Sequence, residues 1–440
     1  MAQPEVTRRE FVQQGSLLAA GAAATLTAAP FVHAAGSDEI KVGVIGCGGR
    51  GSGAAEDVLQ AAPNVRIVAL CDYFRNKALA LRKRLLSFAE SERVKQLGNK
   101  VDVPEDRCFG GLDGYRRVLE CDVNYIILAT PPGFRPDHLE ACVAASKHIF
   151  TEKPVAVDGA GVRVCLKVYE DALKKSLGIA AGTQRRHQGP YIETIQRIHD
   201  GALGDPIVGR CYWNQGDIWF RKRESGMTDL DYQIHNWYHF VWLCGDHIVE
   251  QHVHNLDVMN WALRAHPLRC LGMGGRTRPY TDPRVDGHIY NFFCVEYEYP
   301  NGLRVHSMCR QITGCDGNLP GSGGVAEVLV GTKGVCQINN FSINGQSVVS
   351  RQTRTKFANP YIQEHTDLIE SIRAGKPINE LKNVAESTLT AIMGRMSAYT
   401  GKVVTWEQAL NSKEKWRPEP LTPDNLPVPP LAVPGKTALV

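Results

Sequence analysis

The sequence predicts an α/β chain with two parts: a doubly wound parallel sheet, followed by an α+β domain with a large, mostly antiparallel open sheet. Two observations support the first part. Short apolar runs alternate with helical patterns between Ile40 and Val155, and glycines follow the first run at the spacing Gly46-x-Gly48-x-x-Gly51. Alternating strand and helix patterns are typical of parallel sheets. The second part is predicted because the pattern becomes strand-like after Leu268, with a hairpin turn at Pro300-Asn301-Gly302.

The composition is that of an ordinary globular protein. The chain has 440 residues, of which 43% are hydrophobic and 22% charged, so it is long enough for two domains with a large core. The formal charge is only +4 and no block of lysine or arginine stands out, which argues against a nucleic-acid partner. The 13 cysteines are scattered, often inside apolar runs. We expect most of them to be small buried hydrophobic residues.

The N-terminus resembles a twin-arginine export signal. Thr7-Arg8-Arg9-Glu10-Phe11-Val12 precedes an apolar, small-residue run from Leu17 to Pro30, and Ala34-Ala35 suits cleavage. A disordered or amphipathic N-terminal arm is the alternative. The run is too short and too rich in alanine for a stable membrane span. We therefore expect residues 1–35 to be a signal peptide and the protein to be periplasmic or secreted. This route exports folded proteins, often with a cofactor already bound.

The first elements have the order strand, glycine turn, helix. Ile40–Ile45 reads as a buried strand and Ala54–Ala61 as a helix. The glycines between them allow a tight turn, close approach of a pyrophosphate and close packing of the helix on the strand. The helix N-terminus would present free N–H groups to phosphates. The pattern indicates a Rossmann-like dinucleotide site that includes Gly46, Cys47, Gly48, Gly49, Arg50 and Gly51.

The second strand, Val65 to Leu70, ends at Asp72, which follows Gly51 by 21 positions. An acidic residue at this distance accepts hydrogen bonds from the adenosine ribose hydroxyls, which favours NAD. Arg75 is close enough in sequence to receive a 2′-phosphate, so NADP stays possible. A long basic helix is predicted from about Phe74 to Leu97.

Two further strands complete the predicted first domain, residues 38–157. Val123–Ala129 leads into Thr130-Pro131-Pro132, and His148-Ile149-Phe150 leads into Glu152-Lys153-Pro154. Ligands of parallel sheets bind at the carboxyl ends of the strands. These ends add four residues to the predicted cofactor site, Thr130, Pro131, Glu152 and Lys153. His138, in the helix predicted between the two strands, is also expected to contact the cofactor.

The second domain is predicted to span residues 158–415. It begins with a helix from Asp158 to about Lys175 and a strand from Leu177 to Ala181. Gln215 to Tyr232 is polar and aromatic and is predicted to be a loop over the site. Two helices within residues 360–400 are expected to pack back on the first domain, and residues 416–440 form a proline-rich, extended tail. The remaining predicted elements are helices at Trp237–Leu243 and Ile248–Leu263 and strands at Ile207–Asn214, Leu268–Met273, Tyr290–Tyr299, Leu303–Gln311, Ala326–Gly331 and Val335–Asn339.

Four of these features together resemble the Gfo/Idh/MocA oxidoreductase family. They are Gly46-x-Gly48-x-x-Gly51, Thr130-Pro131-Pro132, Glu152-Lys153-Pro154 and the segment from Glu250 to Asp257. Gly201-Ala202-Leu203-Gly204-Asp205-Pro206-Ile207 also resembles the family's turn into its large sheet. The resemblance covers about Ile40 to Thr400. It implies an NAD(P)-binding domain, an open-sheet domain and action on sugars, sugar acids, cyclitols or related polyols.

The resemblance also implies three catalytic residues. Lys153 matches the family lysine that contacts nicotinamide and the reacting hydroxyl, and His254 matches the histidine that acts as general acid or base. Histidine titrates near neutral pH, which suits removal of a hydroxyl proton. Lysine can stabilise charge developing on oxygen. Glu250 replaces the usual aspartate four residues before the histidine, where the two would share one helix face and the carboxylate could orient the imidazole.

Several residues are predicted to contact the substrate. The resemblance implies that Tyr238 and His239 occupy positions that face substrate, and Asp257 ends the family-like segment that contains His254. Trp219 and Trp237 flank the predicted loop and could stack on sugar rings. Arg185 and Arg186 could hold a carboxylate or hydroxyls, although salt bridges explain them equally well. A metal site formed by His235, His239, His252 and His254 is not expected, because their spacing matches no standard ligand set.

The leading hypothesis is an exported NAD(P)-dependent oxidoreductase that acts on a carbohydrate, sugar derivative or cyclitol and keeps its cofactor tightly bound. A dismutase-like exchange between two sugars would regenerate such a cofactor. The alternative is an NAD-dependent glycosidase that oxidises the ring, eliminates the aglycone and reduces the ring again. A second alternative is a non-catalytic dinucleotide and sugar sensor. The broad open sheet favours a homo-oligomer.

Overall fold

The first sheet contains seven parallel strands in the order β3-β2-β1-β5-β6-β7, with β4 also paired to β2. A computed structural model describes residues 38–317, 324–356 and 359–440, so the predicted signal peptide, residues 1–35, lies outside the described residues. The strands are β1 (Ile40–Ile45), β2 (Val65–Cys71), β3 (Lys100–Val101), β4 (Cys108–Phe109), β5 (Tyr125–Leu128), β6 (His148–Thr151) and β7 (Ile179–Ala181). The sheet continues past the predicted boundary at residue 157, because β7 pairs with β6.

Helices cover both faces of this sheet, as its continuous apolar strands require. In β1 the side chains of Val42 and Val44 are fully buried. The helices of this part are α1 (Gly49–Ala61), α2 (Arg75–Phe88), α3 (Glu92–Leu97), α4 (Gly114–Glu120), α5 (Arg135–Ala144) and α6 (Gly159–Lys174). The single helix predicted from Phe74 to Leu97 is wrong: it is divided into α2 and α3, because Ser91 adopts an extended conformation before α3.

The second sheet contains nine strands in the order β15-β14-β13-β12-β8-β11-β10-β9-β16. Its described pairs are antiparallel except for β8 with β11, which confirms the predicted mostly antiparallel sheet. The strands are β8 (Pro206–Gln215), β9 (Arg269–Gly275), β10 (Phe292–Glu298), β11 (Arg304–Gln311), β12 (Val325–Gly331), β13 (Gly334–Gln337), β14 (Ser342–Ile343), β15 (Gln346–Ser347) and β16 (Val404–Thr405).

Helices pack on one face of the second sheet and between the two domains. They are α7 (Gly189–His199), α8 (Asp229–His235), α9 (Val241–Cys244), α10 (His247–Glu250), α11 (Val253–Leu263), α12 (Pro283–Asp286), α13 (Arg351–Lys356), α14 (Pro360–Arg373), α15 (Leu381–Thr400) and α16 (Trp406–Leu410). Strand residues alternate accordingly: Phe293 and Val295 of β10 are buried, whereas Phe292 and Cys294 are exposed. Most of the 13 cysteines are free and buried, as their apolar surroundings predict.

The late helices return to the first domain. Leu368 and Ile369 of α14 are fully buried in one cluster with residues of β1, β2 and α1. The Thr366 hydroxyl donates to the Ala61 carbonyl at 3.0 Å. The described tail after residue 415 has no helix or strand, and none of the helices in the described ranges is long and apolar enough to cross a membrane.

Two helical predictions around the site are wrong in detail. Trp237–Leu243 is a 3₁₀ turn, Trp237–His239, followed by the short helix α9. Ile248–Leu263 is divided into α10 and α11 at Gln251 and His252. The His252 ring packs onto the second sheet, where Nε2 lies 2.7 Å from the Ser307 hydroxyl and Nδ1 lies 3.2 Å from Asn255 Oδ1. We attribute the break to this tertiary contact.

Candidate active site and cofactor cavity

The glycine turn after β1 forms an open cradle. Gly46 has φ +97°, a conformation that L side chains rarely adopt, and a Cβ on Gly51 would overlap the Gly46 carbonyl oxygen. A Cβ on Gly48, in contrast, would meet no atom within 4 Å. No side chain caps the N-terminus of α1. The turn therefore leaves space and a partial positive charge where a pyrophosphate can approach.

Asp72 is fixed at the end of β2 by two backbone hydrogen bonds. Its carboxylate accepts from the Cys47 amide at 2.9 Å and from the Phe74 amide at 3.0 Å. This ties the end of β2 to the glycine turn and places the carboxylate in the wall of the same cavity. Arg75 points elsewhere, because its guanidinium donates to the Cys108 and Glu105 carbonyl oxygens at 2.8 and 3.0 Å.

One cavity brings together most of the predicted cofactor residues. Gly51 and Cys47 belong to the turn itself, and Cys47 is buried. The predicted residues that line the cavity are Gly46, Gly48, Gly49, Arg50, Asp72, Thr130, Pro131, His138, Glu152 and Lys153. The cavity, the open Gly48 position and the fixed Asp72 carboxylate together fit a dinucleotide.

Lys153 and Glu250 meet in the wall of this cavity. Lys153 Nζ donates to the Glu250 backbone carbonyl at 2.7 Å and lies 3.4 Å from Glu250 Oε1. Burial raises the pKa of Glu250, while Lys153 and Arg135 act in the opposite direction. The other carboxylate oxygen of Glu250 is buried without a hydrogen-bond partner among the described residues. The carboxylate therefore has one oxygen paired with lysine and one free to accept a further hydrogen bond.

His254 lies near these groups but outside the cavity lining. Its ring stacks on Trp213, with centroids 5.7 Å apart and an interplanar angle of 18°. Burial holds the pKa of His254 well below 6.5, and the neighbouring cations Lys153, Arg185 and Arg50 lower it further. The imidazole is therefore neutral at neutral pH. Because α10 ends at Glu250 and α11 begins at Val253, the expected shared helix face does not exist, and the Glu250 carboxylate pairs with Lys153 instead.

Two more predicted cofactor residues are held by local contacts. His138 Nδ1 lies 3.2 Å from the Thr130 hydroxyl, and burial lowers the pKa of His138 to about 3. The side chain therefore stays neutral. Arg50 Nε donates to Glu152 Oε1 at 2.9 Å, which fixes the carboxylate just before Lys153.

The residues predicted to bind substrate are spread over several environments. Trp237 lines the cavity, and Trp219 is 36% exposed with its ring 6.3 Å from that of Trp237. Tyr238 is buried and accepts a hydrogen bond from Gln311 at 2.8 Å. His239 is buried, with Nε2 2.8 Å from the Trp219 carbonyl oxygen.

The charged members of that group are engaged in buried ion pairs. Arg185 lies 2.9 Å from Glu327 Oε1, and Asp257 accepts a bidentate contact from Arg186 at 2.9 Å. These contacts correspond to the salt-bridge alternative for Arg185. No group of three or more histidine, cysteine, aspartate or glutamate side chains in the described ranges is arranged to hold a metal ion.

Other cavity residues were not predicted from the sequence. Arg135 follows Thr130-Pro131-Pro132, is only 4% exposed and donates to the Pro154 carbonyl. Its position at the start of a helix that follows a strand end could have marked it as a residue of the cofactor site. Tyr73, Lys77, Tyr115, Phe134 and Ile234 also line the cavity. Ile234 could not be found from local pattern, since it comes from α8 in the second domain.

Comparison with known proteins supports this assignment. Residues 40–179 match the Gfo/Idh/MocA model, described as an oxidoreductase family with an NAD-binding Rossmann fold. An inositol 2-dehydrogenase of Rubrobacter xylanophilus is 25% identical over 267 residues, which are 60% of this chain and 63% of that protein. A glycosyl hydrolase family 109 protein of Streptomyces niveus is 30% identical over 43% of this chain and 35% of its own length. The chain thus spans less than two thirds of these curated relatives.

The fold resembles that of scyllo-inositol dehydrogenase from Lactobacillus casei, solved with bound NAD(H) and scyllo-inositol. The TM-score is 0.60 at 15% identity, and the match covers 84% of this chain and 99% of that one. At this identity the likeness concerns the fold. Residues 40–179, which contain the glycine cradle and the fixed Asp72 carboxylate, are thus similar to the NAD-binding Rossmann fold of the Gfo/Idh/MocA oxidoreductase family.

Proposed function

We propose that the protein is an NAD-dependent oxidoreductase that acts on a carbohydrate, sugar derivative or cyclitol. The observation that carries this proposal is a single cavity lined by the glycine turn, Asp72 and the Lys153–Glu250 pair. A dinucleotide site and an ionic pair suited to an alcohol oxygen thus lie in one space. Asp72 favours NAD over NADP, because a carboxylate would repel a 2′-phosphate.

The side chains of the protein accept the proton and stabilise the charge that develops on the substrate oxygen. Bound nicotinamide supplies the hydride chemistry. Lys153 can donate a hydrogen bond to the substrate oxygen and stabilise negative charge on it. His254 is neutral at neutral pH and so keeps a lone pair for a hydroxyl proton. Glu250 holds Lys153 in place through the contact at 2.7 Å to its carbonyl oxygen.

The substrate class is supported by the relatives named inositol 2-dehydrogenase and by the aromatic rings of Trp219 and Trp237 beside the cavity. The test is a panel of inositols, aldoses and sugar acids, with NAD or NADP, followed by NADH absorbance. Stoichiometric reduction of added NAD by one class of polyol supports a simple dehydrogenase. No reduction and no product with any of them contradicts the proposal.

A glycosidase is the second candidate, favoured by the glycosyl hydrolase family 109 relative. In that case the same cofactor would be reduced and reoxidised within one turnover. Incubation with aryl glycosides separates the two candidates. Release of the aglycone without net NADH supports the glycosidase. A protein that carries NAD but is inert on both panels would instead support a sensor.

We further propose export through the twin-arginine route with a resident cofactor. The support is the sequence Thr7-Arg8-Arg9-Glu10-Phe11-Val12 and the apolar run that follows. Expression in a bacterium, cell fractionation and replacement of Arg8 and Arg9 by lysine test the route. Retention of the variant in the cytoplasm is expected. Mass spectrometry of dinucleotide released from protein purified without added cofactor tests whether a cofactor is resident.

A further inference from the structure

The cofactor cavity has a second wall that does not belong to the Rossmann domain. Ile234 of α8 and Trp237 of the following 3₁₀ turn line it from the second domain. We call residues 229–244 the covering segment. Ile234 is only 5% exposed and belongs to one buried cluster with Phe134 of the first domain, which also lines the cavity.

One hydrogen bond ties the covering segment to the end of β2. The Tyr73 hydroxyl donates to Asp231 Oδ1 at 2.8 Å. Tyr73 follows Asp72 directly and lines the cavity. Asp231 is held in turn by Thr228, whose amide and hydroxyl donate to Oδ2 at 3.0 and 2.7 Å. The Asp231 carboxylate is therefore held in position independently of its contact with Tyr73.

A close backbone contact forms a second connection. A Cβ on Gly133 would overlap the Trp242 carbonyl oxygen, so this position brings the turn before α5 directly against the covering segment. Phe134 packs edge-on against the Trp242 ring at 5.5 Å. Phe134 also lines the cavity.

Part of the C-terminal tail packs against the covering segment. We call residues 416–428 the strap. The Leu230 amide donates to the Pro423 carbonyl at 2.9 Å, and Leu426, 1% exposed, belongs to the cluster of Phe134, Leu230 and Ile234. Arg417 forms an ion pair with Asp137 of α5. The strap thus contacts both the Rossmann domain and the covering segment.

We propose that the covering segment, latched by Tyr73–Asp231 and held by the strap, is part of the cofactor-binding site and retains the dinucleotide between turnovers. This rests on the proposed function, because it requires a bound dinucleotide. Exchange of the cofactor would need the latch to break and the strap to lift from Phe134. The residues assigned here to cofactor retention are Tyr73, Asp231, Ile234, Trp237 and Leu426.

The test measures release of NADH from the full-length protein. Protein loaded with NADH is mixed with excess NAD, and the loss of NADH fluorescence gives the dissociation rate. Tyr73→Phe and Asp231→Asn should each accelerate release by about tenfold or more, because Tyr73→Phe removes the hydrogen bond and Asp231→Asn removes the charge that strengthens it. The double variant should release NADH no faster than the faster single variant, since both substitutions act on the same contact.

A matched pair tests the strap. Leu426→Ala removes a buried contact with Phe134 and Leu230 and should also accelerate release, whereas Val433→Ala, at a side chain that is 46% exposed, should match the wild type. Thermal melting of each variant identifies a general loss of structure. If the purified wild type neither contains a dinucleotide nor takes up NADH, the proposed function and this inference are both wrong. If it binds NADH and all three latch and strap variants release it at the wild-type rate, only the inference is wrong.

Discussion

Lys153 carries its positive charge into a cavity wall where the side chain is only 9% exposed, opposite a Glu250 side chain that is 6% exposed. Burying either charge alone is costly, so each depends on the other. The backbone contact from Lys153 Nζ to the Glu250 carbonyl oxygen, 2.7 Å, fixes the amine more firmly than the carboxylate contact at 3.4 Å. We expect this geometry to set the direction from which the amine meets a substrate oxygen.

Replacing Lys153 by methionine keeps the length of the side chain and removes its charge. We expect kcat on the identified substrate to fall about 10²–10³-fold, because charge developing on oxygen loses its donor. Steady-state kinetics on NAD-loaded protein measures it. Lys167→Met, at a side chain that is 67% exposed, is the control. Turnover within about twofold of wild type would remove Lys153 from the mechanism.

The same substitution should also lower the free energy of unfolding, and a second substitution should restore it. Lys153→Met leaves the Glu250 charge buried without its partner, which costs about 3–5 kcal/mol in comparable pairs. Glu250→Gln in the same chain should recover most of that loss, since the uncompensated charge disappears. Urea unfolding of the two single variants and the double variant measures the coupling. Additive losses would show that the two side chains do not depend on each other.

At the scale of an element, two glycines of the segment between β1 and α1 have different tasks, and a third nearby glycine has neither. Gly51 allows the helix to approach the strand, Gly48 leaves room above the turn, and Gly53 has no comparable constraint. A Cβ on Gly53 would lie 3.3 Å from the flexible end of Arg50. The three positions lie within one short segment, so their alanine variants form a matched series.

We predict three different outcomes for this series. Gly51→Ala should lower the free energy of unfolding by several kcal/mol, on the order of an overpacked core, because its Cβ overlaps the Gly46 carbonyl oxygen. Gly48→Ala should unfold like the wild type within about 1 kcal/mol but bind NADH at least about tenfold more weakly, since its Cβ occupies the open cradle. Gly53→Ala should leave both properties near wild type. Urea unfolding and NADH titration measure the two properties, and normal NADH affinity in Gly48→Ala would contradict the cradle.

For the whole molecule, the outer face of the second sheet carries a group of neighbouring exposed apolar side chains. Met273, Cys294 and Met308 lie side by side on three neighbouring strands. Met273 is 72% exposed and Met308 43% exposed, and Cys294 is exposed. Contiguous apolar patches of this kind are typical of association sites. This agrees with the sequence-based expectation of a homo-oligomer, which stays a prediction.

We expect the wild-type protein to associate through this face. Met273→Glu places a charge in the patch and should shift the protein toward smaller species, because burying that charge opposes association. Light scattering after size-exclusion chromatography measures the mass. Val285→Glu, at an exposed residue of α12 away from the strands, is the control. A wild-type protein that is monomeric at every concentration would contradict the prediction.

Stability should fall in acid because several histidines are buried in the neutral form. Burial lowers the pKa of His138, His252, His288 and His365 from 6.5 to about 3. Below pH 6.5 the unfolded chain therefore binds more protons than the folded chain, and stability falls until about pH 3. Each such group contributes up to about 1.4 kcal/mol per pH unit.

His187 has the opposite effect on the pH dependence of stability. Burial opposes its charge, but hydrogen bonds to Asp367 and Glu380 raise its pKa to about 10. Its contribution is therefore fully present below about pH 6.5 and is lost as the pH rises toward 10. Urea unfolding at several values between about pH 4.5 and about pH 7 measures how steeply the free energy of unfolding falls in acid. His288→Leu should reduce the slope of the unfolding free energy against pH by about one proton. His306→Gln, at an exposed strand position, is the control and should leave the slope unchanged. An unchanged slope in His288→Leu would show that His288 is not buried in the neutral form.

Local sequence was sufficient for the strand, glycine turn and helix, for Asp72 at the end of β2, and for Lys153 at the end of β6, because neighbouring residues alone decide these positions. The partner of Lys153 is different, since Glu250 lies 97 positions away. Pattern reasoning paired Glu250 with His254, and only packing of His252 on the second sheet divides that helix. Tyr73 and Asp231 are 158 positions apart. The sequence alone determined that a dinucleotide domain exists and where its cradle lies; tertiary structure decided which charges meet and what covers the cavity, because those contacts join segments that no local pattern connects.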